Sequence, residues 1–174
     1  SLRTDMVQLP VWLSWGASIL QFGLGLSLIG LALRESVPGA GVPGGAVRLA
    51  AGIALAVQIL VGIATSIYSP DINLPIDEFA TGMGCFKHEI FMALPTFVIT
   101  LLLVFRAFPL RAPIAGLLGG AGATVASDAV IHLLCPMSNL SHVLIWHTGA
   151  VLFFMAVGWV VGFAWQQRRW PARS

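Results

Sequence analysis

Each of the two cysteines in this chain lies three residues from a histidine, at one end of a long apolar run. Cys85 and His88 open the third such run, and His132 and Cys135 close the fourth. Residues three apart share a face of a helix, so each pair presents a thiol and an imidazole in one direction. If adjacent helix ends bring both pairs together, they form a four-ligand set suited to zinc or copper(I).

Because the two halves of this candidate site are far apart in sequence, three interpretations of the cysteines stay open. Cys85 and Cys135 form a redox or sensing pair, or they bind a metal with nearby histidines, or they are simply buried thiols. His142, His147 and Met137 add potential ligands near the same surface. The candidate metal ligands are Cys85, His88, His132, Cys135 and His142.

Asp128 is, on the sequence pattern, the only carboxylate well inside an apolar run, and His132 follows it at i+4. An ionisable group at membrane depth is costly and is usually paired or functional. We therefore expect a hydrogen bond between Asp128 and His132, which either neutralises the charge or orients the imidazole toward a ligand or proton. Gln58, in the second run, is the expected partner for an interhelical hydrogen bond.

The elements that must position these residues are membrane-spanning helices. Only 9% of the 174 residues are charged and 57% are hydrophobic, which is too few charges to cover a water-soluble globule. Continuous apolar runs of about 20 residues are long enough to cross the membrane as helices and lack the alternation of barrel strands. We predict an all-α integral membrane bundle, one membrane domain with five transmembrane helices at about 11–33, 46–67, 85–105, 114–134 and 141–165.

Basic residues predict the orientation of this bundle. Arginines lie between runs one and two, between runs three and four, and after run five, and they are Arg34, Arg48, Arg106, Arg111, Arg168, Arg169 and Arg173. By the positive-inside rule this side, with the C-terminus, is cytoplasmic and the cysteines are outside. The opposite loops contain Asp71, Asp77 and Glu78, with Lys87 as their only basic residue. The N-terminus then lies outside without an export signal, so we expect a sixth helix upstream of Ser1.

The helices carry two Gly-xxx-Gly pairs, at Gly116 and Gly120 and at Gly158 and Gly162. Small residues let membrane helices approach closely, so these pairs predict tight packing within the bundle or, alternatively, a dimer face. Phosphate loops, zinc-protease motifs, covalent-haem motifs and the Gly-x-Ser-x-Gly of esterases are missing from the sequence. We therefore expect no enzymatic activity.

Three spaced segments in the second half of the chain form a further pattern. Gly84-Cys85 opens a helix that continues through Ala93-Leu94-Pro95, and Arg-Ala-Pro-Ile-Ala-Gly-Leu-Leu-Gly-Gly fills 111–120. His-Leu-Leu-Cys-Pro at 132–136 is followed by Leu-Ile-Trp-His at 144–147. Over about residues 84–165 this pattern resembles the NrsF family of small polytopic anti-sigma factors.

The resemblance implies a bacterial inner-membrane protein that restrains an extracytoplasmic-function sigma factor, without direct binding to nucleic acid. The resemblance implies six-helix proteins with a basic cytoplasmic N-terminal arm. In this chain we expect that arm upstream of Ser1. The resemblance also implies cysteines near the outer face that sense metal or oxidant stress, and Cys85 and Cys135 match those positions.

An alternative function is that of a small accessory subunit of a larger respiratory or photosynthetic membrane complex. In that case His132, His142 or His147 would contact or ligate a haem or chlorophyll. The glycine-rich helix faces would suit packing against neighbouring subunits. Under the regulator interpretation the possible bound metals are instead zinc or copper.

Overall fold

The computed structural model describes residues 2–3, 9–68, 78–135, 137 and 139–169. In these ranges the chain is helical and has no strand, which confirms the all-α prediction. Asp71, Asp77 and Arg173, which entered the topology prediction, lie outside the described ranges. The five helices long and apolar enough to cross a membrane are α1 (Trp12–Ser36), α2 (Gly44–Tyr68), α3 (Glu78–Arg106), α4 (Ala112–Leu134) and α5 (Leu140–Arg169).

The helix α3 differs most from the apolar run that predicted it, because it begins at Glu78 and not at Cys85. The rings of Phe79 and Trp146 meet edge to face at 5.4 Å, and the indole of Trp146 covers Gly82. This packing stabilises two additional turns that the local glycines would otherwise weaken. Cys85 therefore lies about two turns inside α3.

The buried centre of the bundle is α4. In α4, 83% of the most apolar 18-residue window is buried inside the bundle, whereas the buried share of the same window is 22 to 33% in the other four spans. Leu118 and Val125 of α4 are almost fully buried and pack in one cluster with Leu28 of α1 and Val151 of α5. The many small residues of α4 allow this position, because they let three helices approach its backbone from different sides.

Glycines bring the backbones of α4 and α5 into contact. A methyl group on Gly116 would overlap the carbonyl oxygen of Gly158, and one on Gly158 would overlap that of Gly116. Gly120 faces the Phe154 carbonyl in the same way. The Gly-xxx-Gly faces are thus used for packing within the chain, which is the first of the two predicted uses.

One end of the bundle, here called the arginine end, is fixed by an ion pair between the last turn of α1 and the loop before α4. Glu35 at the end of α1 is buried, and Arg111 donates to both of its oxygens, at 2.5 Å from Nε and 2.8 Å from Nη2. The backbone N–H of Val42 also donates to Glu35, at 2.7 Å. The α1–α2 loop is therefore tied to the α3–α4 loop.

The opposite end, here called the thiol end, contains both cysteines and the start of the described chain. The backbone N–H of Arg3 donates to the Leu133 carbonyl at 3.0 Å, so Arg3 is a basic residue at this end in addition to Lys87. Alternation of five helices, together with these contacts, places the arginines of both interhelical loops and of the α5 C-terminus at the arginine end. The arrangement is that of a multi-pass membrane protein.

Replacing Gly158 by leucine should destabilise the bundle by about 3 kcal/mol or more, because the side chain would collide with the backbone of α4. Thermal unfolding of the detergent-purified protein measures the loss. The matched control is Gly30→Leu on the exposed face of α1, where an added Cβ meets no other atom within 4 Å. Equal stability of the two variants would contradict the α4–α5 contact.

Candidate functional site

The two cysteine sulfurs face each other at the thiol end. Sγ of Cys85, on α3, lies 3.2 Å from Sγ of Cys135, the residue that follows α4. Neither is in a disulfide; Cys85 is half-buried and Cys135 is buried. The separation exceeds a disulfide bond of about 2.05 Å, so these are two thiols in contact that a small movement could join.

Two histidines of α5 complete a group around the thiols. Nε2 of His142 lies 3.4 Å from the Cys135 sulfur, and Asn139 accepts a hydrogen bond from the His142 backbone at 3.0 Å. The next turn, Val143–His147, is a π-helix. Its i→i+5 repeat brings the His147 ring to 5.2 Å from the His142 ring, and such turns are common at functional sites.

One ligand atom from each of Cys85, Cys135, His142 and His147 lies within 4.8 Å of the others. Two thiols and two imidazoles match a tetrahedral zinc or copper(I) site, so the donor set fits the metals proposed from the sequence. Asp128 contacts a ring nitrogen of His147, as carboxylates behind metal-ligating histidines do.

Two of the predicted ligands lie apart from this group. Nδ1 of His88 is bonded to the Gly84 carbonyl at 2.8 Å on an exposed face of α3, and Nε2 of His132 is bonded to the Leu13 carbonyl at 3.1 Å. The expected pairing of His132 with Cys135 assumed a shared helical face. Cys135 follows the last residue of α4 and has extended backbone angles, so it does not share a helical face with His132.

Asp128 is the centre of a buried hydrogen-bond network that joins four helices. Its Oδ1 lies 2.6 Å from Nδ1 of His147, and its Oδ2 accepts from the Gln21 amide at 2.7 Å and from the Gln58 amide. Gln58 thus makes an interhelical bond, whereas the expected bond between Asp128 and His132 is replaced by the one to His147. The carboxylate is satisfied from α1, α2 and α5.

Besides Asp128, the interior near His147 contains the buried carboxyl group of Glu89, which the apolar run from Cys85 does not reveal. It is fully buried, its Oε2 lies 3.5 Å from Nδ1 of His147, and neither oxygen has a hydrogen-bond partner. The prediction that α3 begins at Cys85 placed Glu89 at a helix end, near water. Phe79 before Cys85 was the signal that α3 begins earlier and carries Glu89 into the bundle.

Two cavities reach the site. One of about 460 Å³ is lined by Cys85, His88 and Cys135, among others, and gives small molecules access to the sulfurs. The other, of about 20 Å³, borders Asp128, His147 and Cys135 and has room for about one water molecule.

The two thiols are not equivalent. The hydrogen bond with Cys85, together with burial, raises the pKa of the Cys135 thiol. Cys135 therefore keeps its proton at neutral pH, while the more exposed Cys85 also lines the larger cavity. This pattern is typical of an exposed reactive cysteine beside a resolving partner.

The histidines considered as haem or chlorophyll ligands all have protein partners. Nε2 of His132 bonds the Leu13 carbonyl, Nε2 of His142 contacts Cys135, and Nδ1 of His147 bonds Asp128. One ring nitrogen of each of these histidines is therefore engaged within the protein.

Comparison with known protein families identifies one match. The model of the NrsF family, described as negative regulator of sigma F, matches residues 1–170. The match confirms the resemblance noted for residues 84–165 and extends it through the first half of the chain. No curated protein and no solved structure matches the chain.

Treating the purified protein with diamide, which accepts two electrons and two protons, should join Cys85 and Cys135 in an intrachain disulfide, because the sulfurs are already in contact. Mass spectrometry after alkylation counts the thiols, and both should be lost without formation of a dimer. His88→Ala should leave the yield unchanged, since His88 does not contact either sulfur. Two thiols that stay reactive, or that link separate chains, would contradict this geometry.

Proposed function

We propose, from the premise that the chain belongs to the NrsF family, that it holds a sigma factor inactive at a bacterial inner membrane and releases it when the thiol pair reacts. The family name implies a negative regulator of a sigma factor, and regulators of this kind are generally not enzymes. The input is oxidation of the two thiols or capture of a soft metal ion. The observation that carries this proposal is the contact between the two sulfurs, 3.2 Å apart.

The distribution of charge supports an orientation with the thiol end outside the cytoplasm. The described arginines of the interhelical loops and of the α5 C-terminus lie at the arginine end, so the positive-inside rule makes that end cytoplasmic. The thiols then face a compartment in which disulfides persist. The end of α5 at Arg169 then lies on the cytoplasmic side.

A chain of hydrogen bonds connects the thiols to the first two helices. His147 lies in the ligand group with the cysteines and also bonds Asp128, and Asp128 in turn accepts from Gln21 and Gln58. A reaction that draws His147 toward the sulfurs would weaken its bond to Asp128. The buried carboxylate would then lose one of its three donors, which favours another arrangement of α1 and α2.

The element best placed to move is α2. Only 22% of its most apolar window is buried, the lowest value among the five spans, and Gln58 is its buried polar contact with Asp128. α2 is joined to α1 by the loop that Glu35 and Arg111 fix at the arginine end. A shift of α2 would therefore change the proposed cytoplasmic surface, which is where the sigma factor would bind.

A reporter for the cognate sigma factor tests this function in cells. The double variant Cys85→Ser/Cys135→Ser should still repress the reporter, but diamide or a soft metal ion such as cadmium should no longer induce it, because serine neither forms a disulfide nor binds soft metals well. His88→Ala, beside Cys85 but bonded to Gly84, should keep full induction. Normal induction of the double serine variant would rule out the thiol switch.

A further inference from the structure

We propose that Glu89, Asp128 and His147 form a second site, within the membrane-spanning part of the bundle, that binds one divalent cation through two carboxylate oxygens and one imidazole nitrogen. The site lies beside the thiol group, with which it shares His147. It does not depend on the proposed regulation of a sigma factor or on the reactivity of the cysteines.

The ligand atoms are already close to the spacing that an ion requires. One atom from each residue lies within 4.8 Å of the other two, and all three residues are buried. Ligands bound to one tetrahedral ion at about 2.0–2.1 Å are about 3.3 Å apart. Nδ1 of His147 is 3.5 Å from Glu89 and 2.6 Å from Asp128, so of these two pairs only the second has to separate, by less than about 1 Å, while the two carboxylate oxygens lie within 4.8 Å of each other.

Glu89 is the residue that points to a ligand. Its side chain is fully buried, and neither of its oxygens has a hydrogen-bond partner in the structure. A carboxyl group buried in this way destabilises the bundle unless something satisfies it. Oε2 is directed toward His147, and an ion between them would use the free oxygens.

The charges fit a divalent ion. Once both carboxyl groups have lost their protons they carry two negative charges, which one divalent cation neutralises. Two oxygens and one nitrogen are the ligands preferred by zinc, cobalt, iron and manganese, whereas the thiol group suits the softer copper(I). The two neighbouring sites therefore both suit zinc and differ in the other ions that they would take.

Asp128 is prepared for this role by its amide partners. Gln21 and Gln58 both donate to Oδ2, which leaves Oδ1 as the ligand atom. Such outer contacts orient metal-binding carboxylates. The ion would replace the proton shared by Oδ1 of Asp128 and Nδ1 of His147 and also the proton that neutralises the buried Glu89 carboxyl, and both protons would leave to solvent.

The small cavity provides a path for an ion from the thiol end to the site. It borders Asp128 and His147 at the site, and it also borders Arg3 and Met137 where the described chain lies near the thiol end. Its volume of about 20 Å³ has room for about one water molecule at a time. A cation arriving from that end would reach Asp128 and His147 without crossing the apolar packing of α4.

The test is a Co²⁺ titration of the full chain, purified in detergent, with Cys85→Ser and Cys135→Ser replacing the thiols. We expect one Co²⁺ per chain, visible d–d absorption without a sulfur-to-cobalt charge-transfer band, and a melting temperature raised by several degrees. Adding Glu89→Gln should weaken binding at least about 100-fold, since it removes a ligand and a charge. The metal-free Glu89→Gln protein should melt no lower than its parent, which shows that it folds.

Adding His88→Ala to the double serine variant is the matched control, because His88 is an exposed imidazole at the same end, and it should leave the Co²⁺ affinity unchanged. The proposal is overturned if the double serine variant takes up no Co²⁺, or if Glu89→Gln binds as tightly as its parent. Sigma-factor release is measured separately in cells, so a failure of this site and a failure of the proposed function are distinguishable.

Discussion

The structure depends on how one carboxylate is accommodated inside a bundle of apolar helices. Asp128 lies in α4, the most buried helix, where it is shielded from bulk water. Donors from three other helices satisfy it: Gln21 from α1, Gln58 from α2 and His147 from α5. Because each donor must come within about 3 Å of the carboxylate, the network fixes the rotation and depth of those helices around α4.

The same requirement explains why α4 is rich in glycine and alanine and why α5 begins irregularly. Helices can reach Asp128 only if their backbones approach α4, and Gly116 and Gly158 permit that contact between α4 and α5. The π turn Val143–His147 then directs His147 back toward Asp128 while His142 faces Cys135. The thiol group and the carboxylate group are therefore two parts of one arrangement that meet at His147.

The sequence predicts the helices of the bundle, and which of their ends lie together, better than the contacts of its buried polar side chains. Long apolar runs predicted the five helices, and the spacing of arginines predicted which ends lie together, because both patterns are local and repeated. The convergence of Cys85 and Cys135 was also anticipated from their positions at the same end. Of the histidines around these sulfurs, His142 is among the predicted ligands and His147 among the further candidates, whereas His88 and His132, which were chosen by helical spacing, lie apart from the group.

Two further differences have the same physical origin. Glu89 was overlooked because the apolar run begins at Cys85, whereas packing of Phe79 on Trp146 starts α3 earlier. Asp128 was assigned to His132 because the i+4 neighbour is visible in sequence, whereas its actual partner comes from another helix. Contacts between helices depend on rotation about the helix axes, which composition does not determine.

The bond between Asp128 and His147 joins the carboxylate network to the thiol group, and ¹⁵N NMR of histidine-labelled, metal-free protein in lipid tests it most directly. We expect Nδ1 of His147 to carry a proton in a strong hydrogen bond, and this signal to move when Asp128 is replaced by asparagine. A His147 ring with a bare Nδ1, or a spectrum unchanged by Asp128→Asn, would contradict it.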